Sequence, residues 1–245
     1  LMQPRQTLPS LTSAVLNAVS DWIVVNKPDA MLVQGDTATV LASSLAAFYA
    51  GIPLGHVEAG LRTGNMKSPW PEEMNRRLTS PLAHWNFCPT SISQDNLLKE
   101  GIPAASCHIT GNTVIDALLW VRERMTKQGV SAAEVASRSG IPTEFEGRFL
   151  EKRDSRWILV TGHRRESFGE GFEQICEALS RLAAEFPDLG ILYPVHMNPQ
   201  VQDPVRRLLG NTDRIVLIPP VSYEDFVWLM DRTTFLLTDS GGVQE

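Results

Sequence analysis

The sequence predicts an α/β protein built from two parallel-sheet units, and three observations carry that reading. Short apolar runs of strand length alternate with longer stretches of helical apolar period along most of the chain. The glycines and unusual polar residues gather where those short runs stop, at the carboxyl ends of the expected strands, which is where open parallel sheets bind ligands. The alternation breaks once, over residues 127–154, and then resumes.

In chain order, Leu11, Val15, Val19, Trp22 and Ile23 recur with helical spacing up to the breaker Asn26-Lys27-Pro28-Asp29. The run Ala30 to Val33 reads as a strand closed by Gln34-Gly35-Asp36. Thr37 to Tyr49 reads as a small-residue helix stopped by Gly51, and Ile52 to Val57 as the next strand. Pro71-Glu72-Glu73 opens a helix, with Pro in a favoured first-turn position. Trp85 to Cys88 and His108-Ile109 are short strands around the helix Ser91 to Glu100, and the helix Thr113 to Thr126 follows. Lys127 to Asp154, with Gly129, Gly140, Pro142 and Gly147 among many charges, lacks a sustained apolar period and reads as a connection or surface insertion, the best domain boundary. Beyond it come strand Trp157 to Val160, helix Phe172 to Phe186, strand Ile191 to Val195, helix Gln200 to Leu209, strand Arg214 to Ile218, helix Tyr223 to Asp231 and strand Phe235 to Leu237. Right-handed crossovers between parallel strands follow from this order.

Composition narrows the function classes. The chain has 245 residues, 43% hydrophobic and 20% charged, enough to bury a sizeable core. With 22 Lys+Arg against 28 Asp+Glu the net charge is −6 and the pI near 5.4, and no Lys/Arg run supplies the positive field that nucleic acid or an anionic membrane surface requires. The apolar stretch Val40 to Ala50 is too short and too interrupted by Ser to span a bilayer, so no membrane partner is expected. Cys88, Cys107 and Cys176 are odd in number and never form CxxC, so neither a disulfide framework nor a zinc site is expected. A cytoplasmic location is the simplest reading. A start at Leu1 and a stop at Glu245, where a helix is about to begin, read as a fragment truncated at both ends.

The candidate chemistry lies in five segments at strand ends: Gln34-Gly35-Asp36-Thr37, His56-Val57-Glu58-Ala59-Gly60, Thr161-Gly162-His163-Arg164-Arg165-Glu166, His196-Met197-Asn198-Pro199 and Thr238-Asp239-Ser240-Gly241-Gly242. Contributions from both halves predict a cleft between two domains. Any one segment can be an ordinary helix cap; their recurrence is what points to a site. Ser240, Gly241 and Gly242 leave a strand for a helix, so backbone amides there can approach a phosphate at a partly positive helix end, or form an ordinary strand-to-helix turn. Neither a P-loop nor GxGxxG is present, and no nicotinamide or other cofactor is expected. Asp36, Glu58 and Glu72 are candidate acid/base carboxylates, and His163 a group that can change charge near neutrality. Glu72 can equally be a dipole-favoured first-turn acid, and Arg76, four residues on, merely its surface ion-pair partner. His163, Arg164 and Arg165 together suit an anionic leaving group. His84 and His108 have no partner motif and take structural or exposed roles, while Trp22, Trp120 and Trp228 fit helix packing faces.

The segments Val33-Gln34-Gly35-Asp36-Thr37, His56 to Thr63, Pro69-Trp70-Pro71-Glu72-Glu73-Met74-Asn75-Arg76, Thr110 to Asp116, Thr161 to Glu166 and Thr238 to Glu245 together resemble the bacterial, non-hydrolysing UDP-N-acetylglucosamine 2-epimerases across essentially the whole chain. The resemblance implies two Rossmann-like domains in a GT-B arrangement: residues 1–126 as part of the N-terminal domain with the carboxylates, 127–154 as the connection, and 155–245 as part of the C-terminal nucleotide-binding domain. It implies interconversion of UDP-N-acetylglucosamine and UDP-N-acetylmannosamine, by elimination of UDP to a 2-acetamidoglucal and re-addition, supplying N-acetylmannosamine units for cell-surface polysaccharide in a homodimer without metal or cofactor. Asp36, Glu58, Glu72 and His163 are then catalytic; Arg76, Arg164, His196, Ser240, Gly241 and Gly242 bind substrate; Arg5 and Gln6 lie near a regulatory nucleotide-sugar pocket. The family's first strand and its basic turn do not precede Leu1, and a ribose-contacting Glu would follow Glu245. Alternatives are a hydrolysing epimerase that releases free N-acetylmannosamine, a GT-B glycosyltransferase, or a catalytically inactive nucleotide-sugar-binding remnant.

Overall fold

The computed structural model describes residues 6–152, 154–162, 170–197, 199–210, 212, 214–240 and 243. The chain divides into two compact units, Leu1–Val114 and Ile115–Glu245.

In the first unit, α1 (Leu8–Asn26) is capped by Thr7, whose hydroxyl accepts from Ser10 N, and stopped by Lys27 in the left-handed region. It packs against α2 (Ala38–Tyr49). By length and mean hydropathy (1.3) α1 is long and apolar enough to cross a bilayer, which the sequence reading did not anticipate; core helices of globular proteins pass the same test. The strands β1 (Met31–Gln34), β2 (Leu54–Val57), β3 (Trp85–Cys88) and β4 (Cys107–Ile109) form a parallel sheet in sequential order. The connecting helices are α2, α3 (Glu72–Thr79) and α4 (Ser91–Lys99). Pro71 is the N-cap of α3 rather than a first-turn residue.

Sequential order with right-handed crossovers sends the connecting helices to one face. That face holds Val33, Val40, Ala47 and Leu54 in one cluster and Ala59, Cys88, Leu97 and Cys107 in another. Among the described residues the opposite face is exposed along the row Leu32, Gly55, Trp85, where Leu32 is 69% and Trp85 39% exposed. Parallel sheets are normally covered on both sides.

The second unit begins within α5 (Thr113–Gln128). The stretch 127–154, read from the sequence as a connection or surface insertion, falls within this unit. It folds as α6 (Ala132–Ser139), with a Ser131/Glu134 capping box, and α7 (Thr143–Phe145), which runs into a π-helical turn, Glu146–Leu150. Val135, Ile141, Phe145 and Phe149 are buried with Trp157 and Trp228 in a single apolar cluster. The parallel sheet of this unit runs β7 (Ile215–Ile218), β6 (Gly190–Pro194), β5 (Trp157–Thr161), β8 (Phe235–Thr238). One face carries Leu159 and Leu192 against α10 (Tyr223–Met230) and α6; the other carries Ile158, Val160, Ile191 and Tyr193 against α8 (Glu170–Glu185) and α9 (Pro199–Leu209). Each such buried branched side chain contributes about 1.5–3 kcal/mol, so this sheet is covered on both faces.

Trp228 is buried and donates its Nε1–H to Val130 O, whereas Trp22 (51%) and Trp120 (60%) are exposed and do not pack as expected. His84 and His108 are exposed, His108 beside the Phe87 ring. The three cysteines are buried and free, and burial pushes the Cys88 and Cys176 thiols up to about 11.

Candidate active site

At the carboxyl end of β1, Gly35 turns the chain with φ +82, and the turn is pinned from three sides. Gly35 N donates to Val57 O (3.1 Å), His56 Nε2 donates to Gly35 O (2.8 Å), and Asn75 Nδ2 donates to Asp36 O (2.7 Å). His56 is fully buried, and desolvation lowers its pKa despite the carbonyl it faces, so the ring is a neutral Nε2–H tautomer. The turn delivers the Asp36 carboxylate to Arg76 on α3: Nε and Nη2 both reach Oδ2, at 2.9 and 2.7 Å.

Glu58 follows β2 with φ +69, a left-handed conformation that costs a residue with a Cβ about 1–2 kcal/mol. Strain of this kind collects at functional sites. Its Oε2 comes within 3.7 Å of where a Cβ on Gly35 would stand, so the two strand ends bring Asp36 and Glu58 into one neighbourhood. The turn is then fixed by Ala59 N donating to Phe87 O (3.0 Å) and Asn96 Nδ2 donating to Gly60 O (3.0 Å).

The neighbouring glutamates of α3 have opposite fates. Glu72 is half-buried, with no hydrogen bond or ion pair to any described residue. Glu73 is fully buried and accepts from Thr63 N (3.0 Å), Gly64 N (3.1 Å) and Arg76 Nη1 (3.3 Å). Arg76 is therefore not the surface partner of Glu72; it bridges Asp36 and Glu73. Glu73, Asn75 and His56 fall within the quoted segments, but the sequence reading gave them no role in the site. The signal lay in helical phase, since Glu73 and Arg76 are three apart on one face.

In the second unit the strand order reverses between β5 and β8, the topological position where parallel sheets open a ligand crevice. Thr161 pairs with Thr238 there, Asp239 N donates to Thr161 O (3.3 Å), and a Cβ on Gly162 would stand 3.6 Å from Asp239 Oδ2. Tyr193, fully buried, donates its hydroxyl to Gly162 O (3.0 Å), and burial pushes its pKa up. Ser240 N donates to Thr238 Oγ1 (3.0 Å), and Val243 N to Ser240 O (3.3 Å). His196 is exposed just past β6. His163, Arg164, Gly241, Gly242 and Arg5 lie outside the described residues; Gln6 is half-buried ahead of α1. Among the described residues no group of three or more His, Cys, Asp or Glu side chains is placed to hold a metal ion.

Two parallel sheets, one with carboxylates and an arginine beyond its strand ends and the other with Ser240 just past the strand at its reversal point, define an α/β protein of the Rossmann-like class. The comparisons make the family specific. All of residues 1–245 match the family model described as UDP-N-acetylglucosamine 2-epimerase. The chain is 52% identical over 245 residues to the UDP-N-acetylglucosamine 2-epimerase of Salmonella typhimurium, of whose length it covers 63%. Among solved structures, it superposes on all of its length with the UDP-GlcNAc 2-epimerase of Neisseria meningitidis bound to UDP-GlcNAc, at TM-score 0.87, 44% identity and 63% of that chain. The Methanocaldococcus jannaschii UDP-GlcNAc 2-epimerase in complex with UDP-GlcNAc and UDP matches at TM-score 0.71 and 30% identity, covering 66% of that chain. A trehalose 6-phosphate synthase of the GT-B class from Burkholderia multivorans, at TM-score 0.56 and 12% identity, shares the fold alone. The chain belongs to the UDP-N-acetylglucosamine 2-epimerase family, and it spans about 63% of the length of the curated relatives it matches.

Proposed function

We propose that this chain forms part of a non-hydrolysing UDP-N-acetylglucosamine 2-epimerase that interconverts UDP-N-acetylglucosamine and UDP-N-acetylmannosamine. Family membership supports the substrate, and the observation that carries the chemistry is the meeting of Asp36 and a strained Glu58 at adjacent strand ends, with Arg76 on the first.

The C2 proton of the sugar has no neighbouring carbonyl to acidify it. Departure of UDP from C1 must lead, leaving oxocarbenium character at C1 that anionic groups stabilise. Loss of the C2 proton then gives 2-acetamidoglucal, and re-addition of UDP with a proton from the opposite face inverts C2. Two faces require two proton-transfer groups, and Asp36, Glu58 and Glu72 supply the carboxylates. Glu72, held by no described partner, suits a group that takes its place only when substrate arrives. Arg76 and His163 act at the diphosphate or leaving oxygen, Arg164 and His196 bind substrate, and the Ser240-Gly241-Gly242 turn receives phosphate through backbone amides. A cytoplasmic homodimer that feeds polysaccharide synthesis belongs to the same proposal, as does regulation near Arg5 and Gln6.

The test is NMR of UDP-N-acetylglucosamine with the protein at its natural length in deuterated water. The proposal expects deuterium at C2 in both UDP-sugars. Release of UDP with free N-acetylmannosamine would establish the hydrolysing reaction instead, and UDP binding without C2 exchange would establish a transferase or an inactive binder.

A further inference from the structure

We propose that Glu73 is a positioning residue for this reaction, holding the Arg76 guanidinium so that Arg76 in turn fixes the orientation of the Asp36 carboxylate. The inference rests on the epimerase reading above and adds to it a residue that touches no substrate.

A fully buried carboxylate is costly unless its charge is answered, and Glu73 is answered by three donors distributed over both of its oxygens. Two are the successive amides of Thr63 and Gly64, five and six residues beyond Glu58. The third is Arg76 Nη1, one turn along α3. The remaining edge of that guanidinium, Nε and Nη2, closes on the single oxygen Oδ2 of Asp36. One planar fork is thereby held at two edges by two carboxylates, which sets its plane as well as its place.

Among the described residues nothing else bonds the Asp36 carboxylate, so Oδ1 is aimed solely by how Arg76 grips Oδ2. Asn75 and His56 fix the backbone of the turn but not the side chain. Without Glu73 the arginine keeps Asp36 but regains rotamer freedom, and the pair can swing together. A group that transfers a proton loses rate steeply when displaced by an ångström or so. Glu73 also braces the loop after Glu58, so a purely structural role for it must be separated from the positioning role.

Glu73→Gln, Arg76→Lys and the double variant separate them, with C2 deuterium exchange as the assay. Positioning through Arg76 predicts that Glu73→Gln lowers kcat about ten- to a hundredfold with KM within about threefold, and that the same change costs less than about threefold in the Arg76→Lys background. A wild-type kcat in Glu73→Gln, or losses that multiply in the double variant, overturns the proposal. A crystal structure of Asp36→Ala supplies a second reading that needs neither activity nor a folded Glu73 variant. The guanidinium of Arg76 should remain ordered against Glu73; a disordered one overturns the proposal. Absence of C2 exchange in the wild type would refute the epimerase reading and leave that structure to decide the role of Glu73.

Discussion

Replacing Gly60 by alanine tests the geometry of the Glu58 turn directly. Gly60 has φ +87, and a Cβ there would stand 2.2 Å from Ser93 O and 2.7 Å from Ser93 C, both backbone atoms of α4. Backbone cannot step aside as a side-chain tip can, so either α4 or the turn must move. The left-handed conformation alone costs alanine about 1–2 kcal/mol. Forcing the contact adds about 1–3 kcal/mol, and the bond from Asn96 Nδ2 to Gly60 O, worth about 1 kcal/mol, is strained at the same point. Together these put the loss at about 3–6 kcal/mol, a large part of the roughly 5–15 kcal/mol that stabilises a typical domain. Gly64 is the control: its φ is +77, but an added Cβ meets nothing within 4 Å, so Gly64→Ala should cost only the conformational part. Urea unfolding of both variants beside the wild type measures the difference. If Gly60→Ala falls within about 1 kcal/mol of Gly64→Ala, the packing of the turn on α4 is not what holds Glu58 in place.

Further outcomes follow from other parts of the molecule. Glu58→Gln and Glu72→Gln should each lower turnover by about a hundredfold or more if both groups transfer protons, as steady-state rates will show, and unchanged turnover removes that residue from the catalytic set. Treatment with EDTA, and omission of NAD, should leave turnover unchanged; loss on chelation with recovery on adding metal back would contradict the proposed chemistry. His56 is kept neutral by burial, so its folded pKa lies below the 6.5 of a free imidazole, and its contribution to stability is complete above that pH and lost as pH falls toward the folded value. Glu100, held low chiefly by the Arg62 hydrogen bond, adds a second loss below the ordinary carboxylate range of about 4.5. A melting temperature that stays flat from pH 7 to about 3 would refute both. The exposed sheet face around Leu32 and Trp85 should bind a hydrophobic dye in the isolated 245-residue chain, and absence of any fluorescence gain would show that face to be covered.

The strands and most helices were legible because their apolar spacing is regular and their ends carry breakers, as Lys27-Pro28 ends α1 and Gly51 follows α2. The stretch 127–154 was not. Its core side chains, Val135, Ile141, Phe145 and Phe149, come from two short helices, the link between them and a π-helical turn, so no single period runs through them. The site was legible as a set of strand ends, which is how Asp36 and Glu58 stood out. Glu73 was hidden by its neighbour. The buried positions of α3 are Glu73, Asn75 and Thr79, all polar, so no apolar stripe reveals which face of the helix is inward. Two adjacent glutamates in a first turn look alike until that face is known.

The two strand orders also imply different histories for the units as the chain emerges from a ribosome. In the first, each strand docks beside the one made just before it, so the sheet can grow step by step and the Asp36 and Glu58 turns can be set early. In the second, β8 lies beside β5, the first-made strand of its sheet, and Thr234 N reaches Trp157 O across 77 positions of sequence. That closure carries the larger loop entropy and follows the pairing of β6 and β7. One edge of β5, including Thr161, therefore stays unpaired until the much later stretch Phe235–Thr238 has been made.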